Sequence, residues 1–492
     1  MDAKTQFNRV ASAGRHTLDG TIRVFLAESL ILPTGLVTLA FLTRRLGATD
    51  YGLFALAAAA ITWIEWSLTT MFARAVNKCV SEAADWQPVA TTVLRLHLFT
   101  SVAVAVLLMM VAGPVATGLG EPALADYLRL FALDIPLFSL AHAHRNILIG
   151  IGDYRQRAWL SAGRWLARLV LIVLLVGVGW SIHGAIVAII GASVVELVMA
   201  RRFIRPSLWR PSGFPVRRLL LSALPLLVLG VCLRLLGKGD LFILKALGAT
   251  AAQAGLYGAA QNLAVVPGLF AQAFSPLLLS TLTRLRRDGR LQQARSMARD
   301  SIRLVILLLP FAALAAGAAP EIVRLVAGAQ FTGASVLVQW LIFAALAFVL
   351  ISVATVILVA ADRSWWAVAV AGPMVLIALV GQFWAIPHWG ARGAAMVTTV
   401  CAWLGALIAV GLVAADWRVA PPRWSVIRSV AVSGAAYALA QWWPAPGWLV
   451  MVKLAVLVVT VLVAYFLLGE FDARERALAW SLMPWRKAGG AR

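Results

Sequence analysis

Long apolar runs alternate with short polar connections from one end of the chain to the other, and each run is continuous rather than alternating residue by residue. Runs of about 20 apolar residues are what a helix needs to cross a hydrocarbon core about 30 Å thick; membrane strands would show shorter, alternating segments. The pattern predicts helices over 22–43, 50–72, 90–112, 123–149, 156–178 and 182–204. A second set follows over 217–237, 252–282, 300–318, 333–360, 364–386 and 390–414, with two more over 425–443 and 448–468. Fourteen crossings leave no connection large enough for a water-soluble domain. The expected fold is an all-α polytopic membrane protein.

Short echoes within this pattern predict a duplication. Phe41–Thr49 closes the first helix with Arg44, Arg45 and a Leu-Gly-Ala-Thr, and Gly52-Leu53-Phe54 opens the second. Phe242–Thr250 closes the seventh helix with Lys245 and the same Leu-Gly-Ala-Thr, and Gly255-Leu256-Tyr257 opens the eighth. Gly152-Asp153-Tyr154 and Trp180–Ala185 are echoed in the same order by Ala361-Asp362-Arg363 and Trp389–Ala394. Because six helices separate the copies, both would face the same way, as two lobes related by an axis along the membrane normal. The expected division is 1–212, 213–415, and a tail of two further helices and a polar end over 416–492. Pro33, Pro136, Pro225, Pro267, Pro276, Pro310 and Pro373 lie within or near the spans, where each removes a backbone donor and bends its helix. Such bends serve a transporter but are also common in membrane helices generally.

Composition strengthens the membrane reading. Of the 492 residues, 62% are hydrophobic and 13% charged, against about 25% charged in soluble proteins, and mean hydropathy is +0.87. The net charge of +22 could suggest nucleic acid. Most of the Lys and Arg, however, sit at alternating helix ends: in the N-terminal tail (Lys4, Arg9, Arg15, Arg23), in 201–218 and 284–303, and in the C-terminal tail. That is the positive-inside distribution, and it predicts cytoplasmic termini in a bacterial inner (plasma) membrane. No nucleic-acid partner is expected, though binding of anionic membrane lipid fits the same charges. Cys79, Cys232 and Cys401 have neither metal nor redox spacing.

The run Arg45-Leu46-Gly47, then Asp50-Tyr51-Gly52-Leu53-Phe54-Ala55, resembles the first signature of bacterial polysaccharide exporters. Asp240–Thr250 with Gly255–Asn262 is similar to their seventh-to-eighth helix junction, although Leu241 stands where these proteins usually have a basic residue. The family is the oligosaccharide (Wzx-type) flippases of the multidrug/oligosaccharidyl-lipid/polysaccharide superfamily. The resemblance implies two six-helix lobes around a V-shaped, alternating-access cavity, and a cargo of oligosaccharide on undecaprenyl diphosphate. It further implies proton or sodium coupling, a glycan polymerase and export machinery as partners, a monomer, and no cofactor.

Ionisable groups inside a membrane are costly and usually face a cavity or a partner. Tyr127, Asp134, Phe138, His142 and Arg145 recur at helical spacing on one face of the fourth helix, which fits a water-filled lining or separate contacts to neighbouring helices. Arg145 and, on the seventh helix, Arg234 are candidate contacts for a diphosphate, because guanidinium can bind two phosphate oxygens at once. Lys238 and Lys245 either join them or snorkel to the interface. On the eighth helix Gln261, Asn262 and Gln272 offer amides for sugar hydroxyls, or for ordinary interhelical bonds. Glu28, Glu65 and Asp134 are the candidate ion-coupling groups; a salt bridge to Arg95 or Arg74 is the alternative for the two glutamates. Glu196 is a further acid within the sixth helix.

No Gly-x-x-x-x-Gly-Lys loop or His/Cys metal cluster is present, so no enzymatic activity and no metal are expected. Two other functions compete: a cation-coupled multidrug antiporter, which would need a net acidic cavity, and a non-transporting membrane scaffold, which would need no charged inner faces.

Overall fold

The computed structural model describes residues 26–83, 85–207, 235, 237–361, 363–419 and 423–471. Among these the chain is helical throughout, without a strand. Helices α1 (Ile31–Glu82), α2 (Gln87–Gly118), α3 (Leu124–Ala132), α4 (Asp134–Gly150), α5 (Tyr154–Gly177) and α6 (Ser181–Phe203) pack on one another. Residues 237–246 are also helical. They precede α7 (Ala251–Leu263), α8 (Val266–Arg287), α9 (Leu291–Ile306), α10 (Leu309–Gly317) and α11 (Ala319–Val326). After a 3-10 turn (Ala329–Ala334) come α12 (Ser335–Ala360), α13 (Ser364–Trp417), α14 (Arg423–Trp442) and α15 (Leu449–Leu467). Eight of the described helices are long and apolar enough to cross a membrane. The molecule is an all-α, multi-pass membrane protein.

The sequence places two helices in each of the longest elements, and the backbone agrees. Gly47 breaks α1 with φ 75°, and Gly390 breaks α13 with φ 57°. The 52 residues of α1 and 54 of α13 would each span about 80 Å if straight, far more than one bilayer. Three expected single helices are instead divided. The run 123–149 splits at Leu133, ahead of Pro136, 252–282 at Ala264 and Val265, ahead of Pro267, and 300–318 at Leu307 and Leu308, ahead of Pro310. In each, the proline sits in the first turn of the new helix, where no backbone donor is required. The expected helix over 217–237 falls almost wholly outside the described residues, as does the C-terminal tail.

The expected echoes recur in the backbone. Gly47 and Gly248, the glycines of the two Leu-Gly-Ala-Thr runs, both have positive φ, 75° and 95°. Ser181 and Gly390, each following a tryptophan of the second echo, have φ of 46° and 57°. The first six helices and the later ones meet chiefly where α1 crosses α7. There the contact is reciprocal: a Cβ on Gly52 would lie 1.9 Å from the Ala251 carbonyl oxygen, and one on Gly255 would lie 2.1 Å from that of Ala48. Only glycine lets the two backbones approach so closely. A capping box formed by Thr250 and Gln253 fixes the start of α7.

The last two helices pack on α10 and are tied there at both ends. At one end the fully buried Lys453 meets Glu321 at 2.6 Å. At the other, Glu470 takes Arg303 at 2.9 Å and Arg428 at 3.1 Å, together with the Ser425 hydroxyl.

Candidate functional site

Charged residues concentrate inside the first helical set. On α5, Arg157, Ser161, Arg164 and Arg168 follow one another at spacings of a helix turn and share a face. Asp153 starts that helix by accepting the Gln156 backbone N–H at 3.0 Å. The face meets α4, whose Asp134 lies in the first turn, where the helix dipole favours an acid. Glu196 on α6 and Glu65 on α1 complete the cluster, with Glu28 in the stretch leading into α1.

The pairing within it is uneven. Glu196, with no solvent exposure, carries Arg145 on one oxygen and Arg164 on the other, each at 2.9 Å. Both guanidiniums also lie over the Phe138 ring, at 4.4 Å for Arg164 and 5.6 Å for Arg145. Glu28 takes Arg157 at 2.6 Å and the Ser161 hydroxyl at 3.0 Å. Glu65 and Asp134 face each other. Both are buried, and apart from the Ser193 hydroxyl near Asp134, Glu65 Oε1 and the two Asp134 oxygens have no hydrogen-bond donor. Arg168 approaches this pair with its Nε also unpartnered. Nearby imidazoles are engaged: His97 with Ser139 and His144 with the Leu140 carbonyl, each at 2.8 Å, and His142 with Asn146 at 3.1 Å.

A second network in the later helices centres on Asp240, and in it only Gln382 Oε1 is left without a partner among the described residues. Asp240 accepts from Tyr257 (2.5 Å), Thr398 (2.8 Å), Gln261 (2.8 Å) and the Leu241 backbone N–H (2.9 Å). Lys238 donates to the Gln261 amide oxygen at 3.0 Å, and Gln382 donates to Thr398 at 3.0 Å. Beside it a largely apolar cavity of about 290 Å³ runs between Trp63 of α1, Phe242 and Ile243, and Leu379 and Gln382 of α13. Further contacts tie the two helical sets together. Lys245 pairs with Glu121 at 2.9 Å, Arg44 donates to the Leu325 carbonyl at 2.5 Å, and Asn262 donates to the Tyr51 hydroxyl at 3.0 Å.

The structure therefore brings Glu28, Glu65, Asp134 and Arg145 into one cluster, and puts Gln261 and Asn262 elsewhere, at Asp240 and at the α1–α7 crossing. Glu28 meets Arg157 rather than Arg95 or Arg74. Arg234 and the Gln272 side chain lie outside the described residues. Sequence reading passed over Arg157, Arg164 and Arg168, although their spacing on α5 matches that of the α4 face it did single out. It also passed over Asp240 as a hub. Among the described residues no His, Cys, Asp and Glu come together as a metal site.

Residues 17–277 match the family described as polysaccharide biosynthesis protein. No curated protein matches the chain significantly. Its fold is similar to that of the lipid II flippase MurJ in an inward closed conformation, with a TM-score of 0.63 at 14% identity, covering 93% of this chain and 97% of that one. It is similar too to a transporter of the multidrug/oligosaccharidyl-lipid/polysaccharide superfamily from Pyrococcus furiosus, described by the reverse polarity of its binding pocket (TM-score 0.62, 12% identity, 85% and 96% covered). The bent form of the Vibrio cholerae multidrug transporter VcmN gives a TM-score of 0.59 at 13% identity, covering 83% and 98%.

Proposed function

The chain belongs to the polysaccharide biosynthesis protein family, and from that premise we propose that it flips undecaprenyl-diphosphate-linked oligosaccharide across the bacterial inner membrane for cell-surface polysaccharide assembly. That it is a membrane transporter or flippase and no enzyme follows from the family and the fold. The cargo is the proposal. One observation carries it: four arginines, Arg145, Arg157, Arg164 and Arg168, gather on two helices deep in the first half of the molecule. Fixed guanidiniums in a low-dielectric site suit a multiply charged headgroup, and their pairing with acids keeps the grip weak enough for release.

In this reading residues 1–212 and 213–415 are two lobes that rock about the α1–α7 crossing, and 416–492 rides on the second. Fourteen crossings put both termini in the cytoplasm. The Lys245–Glu121 and Arg44–Leu325 contacts then lie on the outer side and close it, leaving the cluster open to cargo from within. Arg145 meets the diphosphate as the lobes alternate, and Arg234 approaches from the second lobe. Asn262 and Gln272 offer amides to the sugars; the Gln261 amide, held by Asp240 and Lys238, frees itself only if that network opens. Glu28, Glu65 and Asp134 couple transport to protons or sodium. A cationic drug as cargo would require an excess of acid, which the matched arginines and carboxylates of the cluster do not supply.

The test is a cell lacking its own exporter for a lipid-linked glycan, with lipid-linked intermediates measured on each leaflet. The intact chain should move them outward. Arg145→Ala and Arg234→Ala, made at normal levels, should leave them on the inner leaflet, and the Lys variants should retain part of the transport. Wild-type transport in all four would remove the headgroup assignment.

A further inference from the structure

Four arginines and four carboxylates share the cluster on α1, α4, α5 and α6, but only two of the acids are matched. Glu196 is held between Arg145 and Arg164, and Glu28 by Arg157 and Ser161. Glu65 and Asp134 are left against each other, buried, and apart from the Ser193 hydroxyl near Asp134 three of their oxygens have no hydrogen-bond donor. Two carboxylates so placed do not both ionise: one proton lies between them, and they titrate as a pair. With that proton gone, the acids balance the four arginines and the cluster is neutral by count. With it bound, one guanidinium is in excess. Arg168 is the candidate, because it approaches the pair while Arg145, Arg157 and Arg164 are each ion-paired to Glu196 or Glu28.

We infer that the Glu65–Asp134 pair is a proton site whose filling makes the cluster cationic, so that a proton and an anionic diphosphate bind together in the first lobe instead of competing for it. The inference rests on the headgroup reading above and adds its sign. In an exchanger of cationic cargo the proton displaces the substrate from shared carboxylates. Here the proton removes the negative charge that would repel the diphosphate and releases Arg168 to it. Linkage then works both ways, and the headgroup raises the affinity of the pair for its proton by the same factor.

Arg164 and Arg168 of α5 act on the pair directly. The elements packed around it carry other titratable groups: Glu28 in the stretch leading into α1, Tyr51 on α1, Arg95 and His97 on α2, His142, His144 and Arg145 on α4, Arg157 on α5, and Glu196 on α6. Glu28 and Glu196 already hold ion pairs, and the three imidazoles hydrogen-bond to Ser139, Asn146 and the Leu140 carbonyl. His142 serves as the control, since it shares a face with Arg145 and would meet the same headgroup.

The experiment uses the purified full chain in lipid nanodiscs and farnesyl diphosphate as a short probe. Binding is followed by calorimetry over about pH 6 to 8 in two buffers of different ionisation heat, which counts protons taken up per diphosphate. For wild type, affinity should tighten as pH falls, by up to about tenfold per pH unit for one linked proton, with uptake approaching one proton on the alkaline side. Glu65→Gln and Asp134→Asn should bind at alkaline pH with roughly the affinity wild type reaches in acid, and should lose the uptake. The probe's own protonation is common to all proteins and cancels in the comparison. If one variant fails to fold, the comparison of wild type with the other still decides. Zero uptake or proton release overturns the inference while leaving the headgroup reading intact. Uptake lost in His142→Asn but kept in the pair variants assigns the proton to the imidazole and overturns it too. No binding at any pH overturns both.

Discussion

Glu196 shows how much of the cluster hangs on single side chains. It has no exposure and holds two guanidiniums at 2.9 Å each. Glu196→Gln removes the only charge that faces both, leaving Arg145 and Arg164 buried beside one another. Breaking a buried pair from one side costs about 3–5 kcal/mol, so the purified protein in detergent should unfold well below wild type. Adding Arg145→Met should restore part of the loss, because it is the orphaned charge and not the missing bond that destabilises. Recovery absent in the double variant would mean that Arg145 has another anchor. Some of this site was legible in advance. Asp134, Phe138, His142 and Arg145 announce themselves by helical spacing on a single segment. Their partners do not, because Glu196, Glu65 and Arg164 reach them only through packing between helices that are distant in sequence. The α5 stripe of Arg157, Arg164 and Arg168 was visible in the spacing but sat in a run that reads chiefly as apolar. Asp240 gave no such sign, since its partners Tyr257, Gln261 and Thr398 come from two other helices.

Helices were more readable than sites, because length and apolarity are properties of one segment. Where the expected bounds failed, at 133, 264–265 and 307–308, a proline two or three residues on set the break. The crossing of α1 and α7 is a sharper matter. The Leu-Gly-Ala-Thr echo predicted that Gly52 and Gly255 are equivalent, yet not that they touch. Gly52→Ala drives a methyl to 1.9 Å from the Ala251 carbonyl, and Gly255→Ala does the same at Ala48. The helices must part, at a cost of about 1–3 kcal/mol each. The two variants should lower the unfolding temperature by similar amounts, while Gly35→Ala, with open space around it, should not lower it. A large difference between the two would show that the crossing is not symmetric. The α14–α15 pair is fastened differently. Burial pushes the Glu470 carboxyl up, but hydrogen bonds from Ser425, Arg303 and Arg428 outweigh it and hold the group below its ordinary value. Its folded-state contribution is therefore complete above the usual carboxylate range and is lost as pH falls through the lowered value. The protection of α14 amides, relative to their intrinsic exchange rate at each pH, should fall at strongly acidic pH. Glu470→Gln should already show the lower protection at neutral pH and little further change on acidification.

Two polar contacts between the helical sets fall at the ends of helices, and in the proposed fourteen-crossing topology they share the outer face of the membrane. Lys245 and Glu121 form the ion pair there, 6% and 25% exposed as side chains, with Lys245 also bonded to the Ala249 carbonyl at 2.8 Å. Arg44, its counterpart in the first echo, reaches the Leu325 carbonyl instead. The two basic residues at equivalent positions thus bridge the halves from opposite sides, one to a carboxylate and one to a backbone oxygen. If the halves rock to open this face, both bridges must break. Glu121→Gln weakens the first without touching the cluster on α4, α5 and α6. A loss of about 1.4 kcal/mol from the closed state shifts the ratio of open to closed roughly tenfold. A cysteine placed at Tyr51, buried beneath the bridges and against Phe331, should then react faster with a membrane-impermeant maleimide added from outside. Lys245→Ala should produce the same acceleration, and the two changes together no more than either alone, since they remove one interaction. Additive effects would show that Lys245 and Glu121 act separately, and no acceleration in any variant would mean that this face does not open.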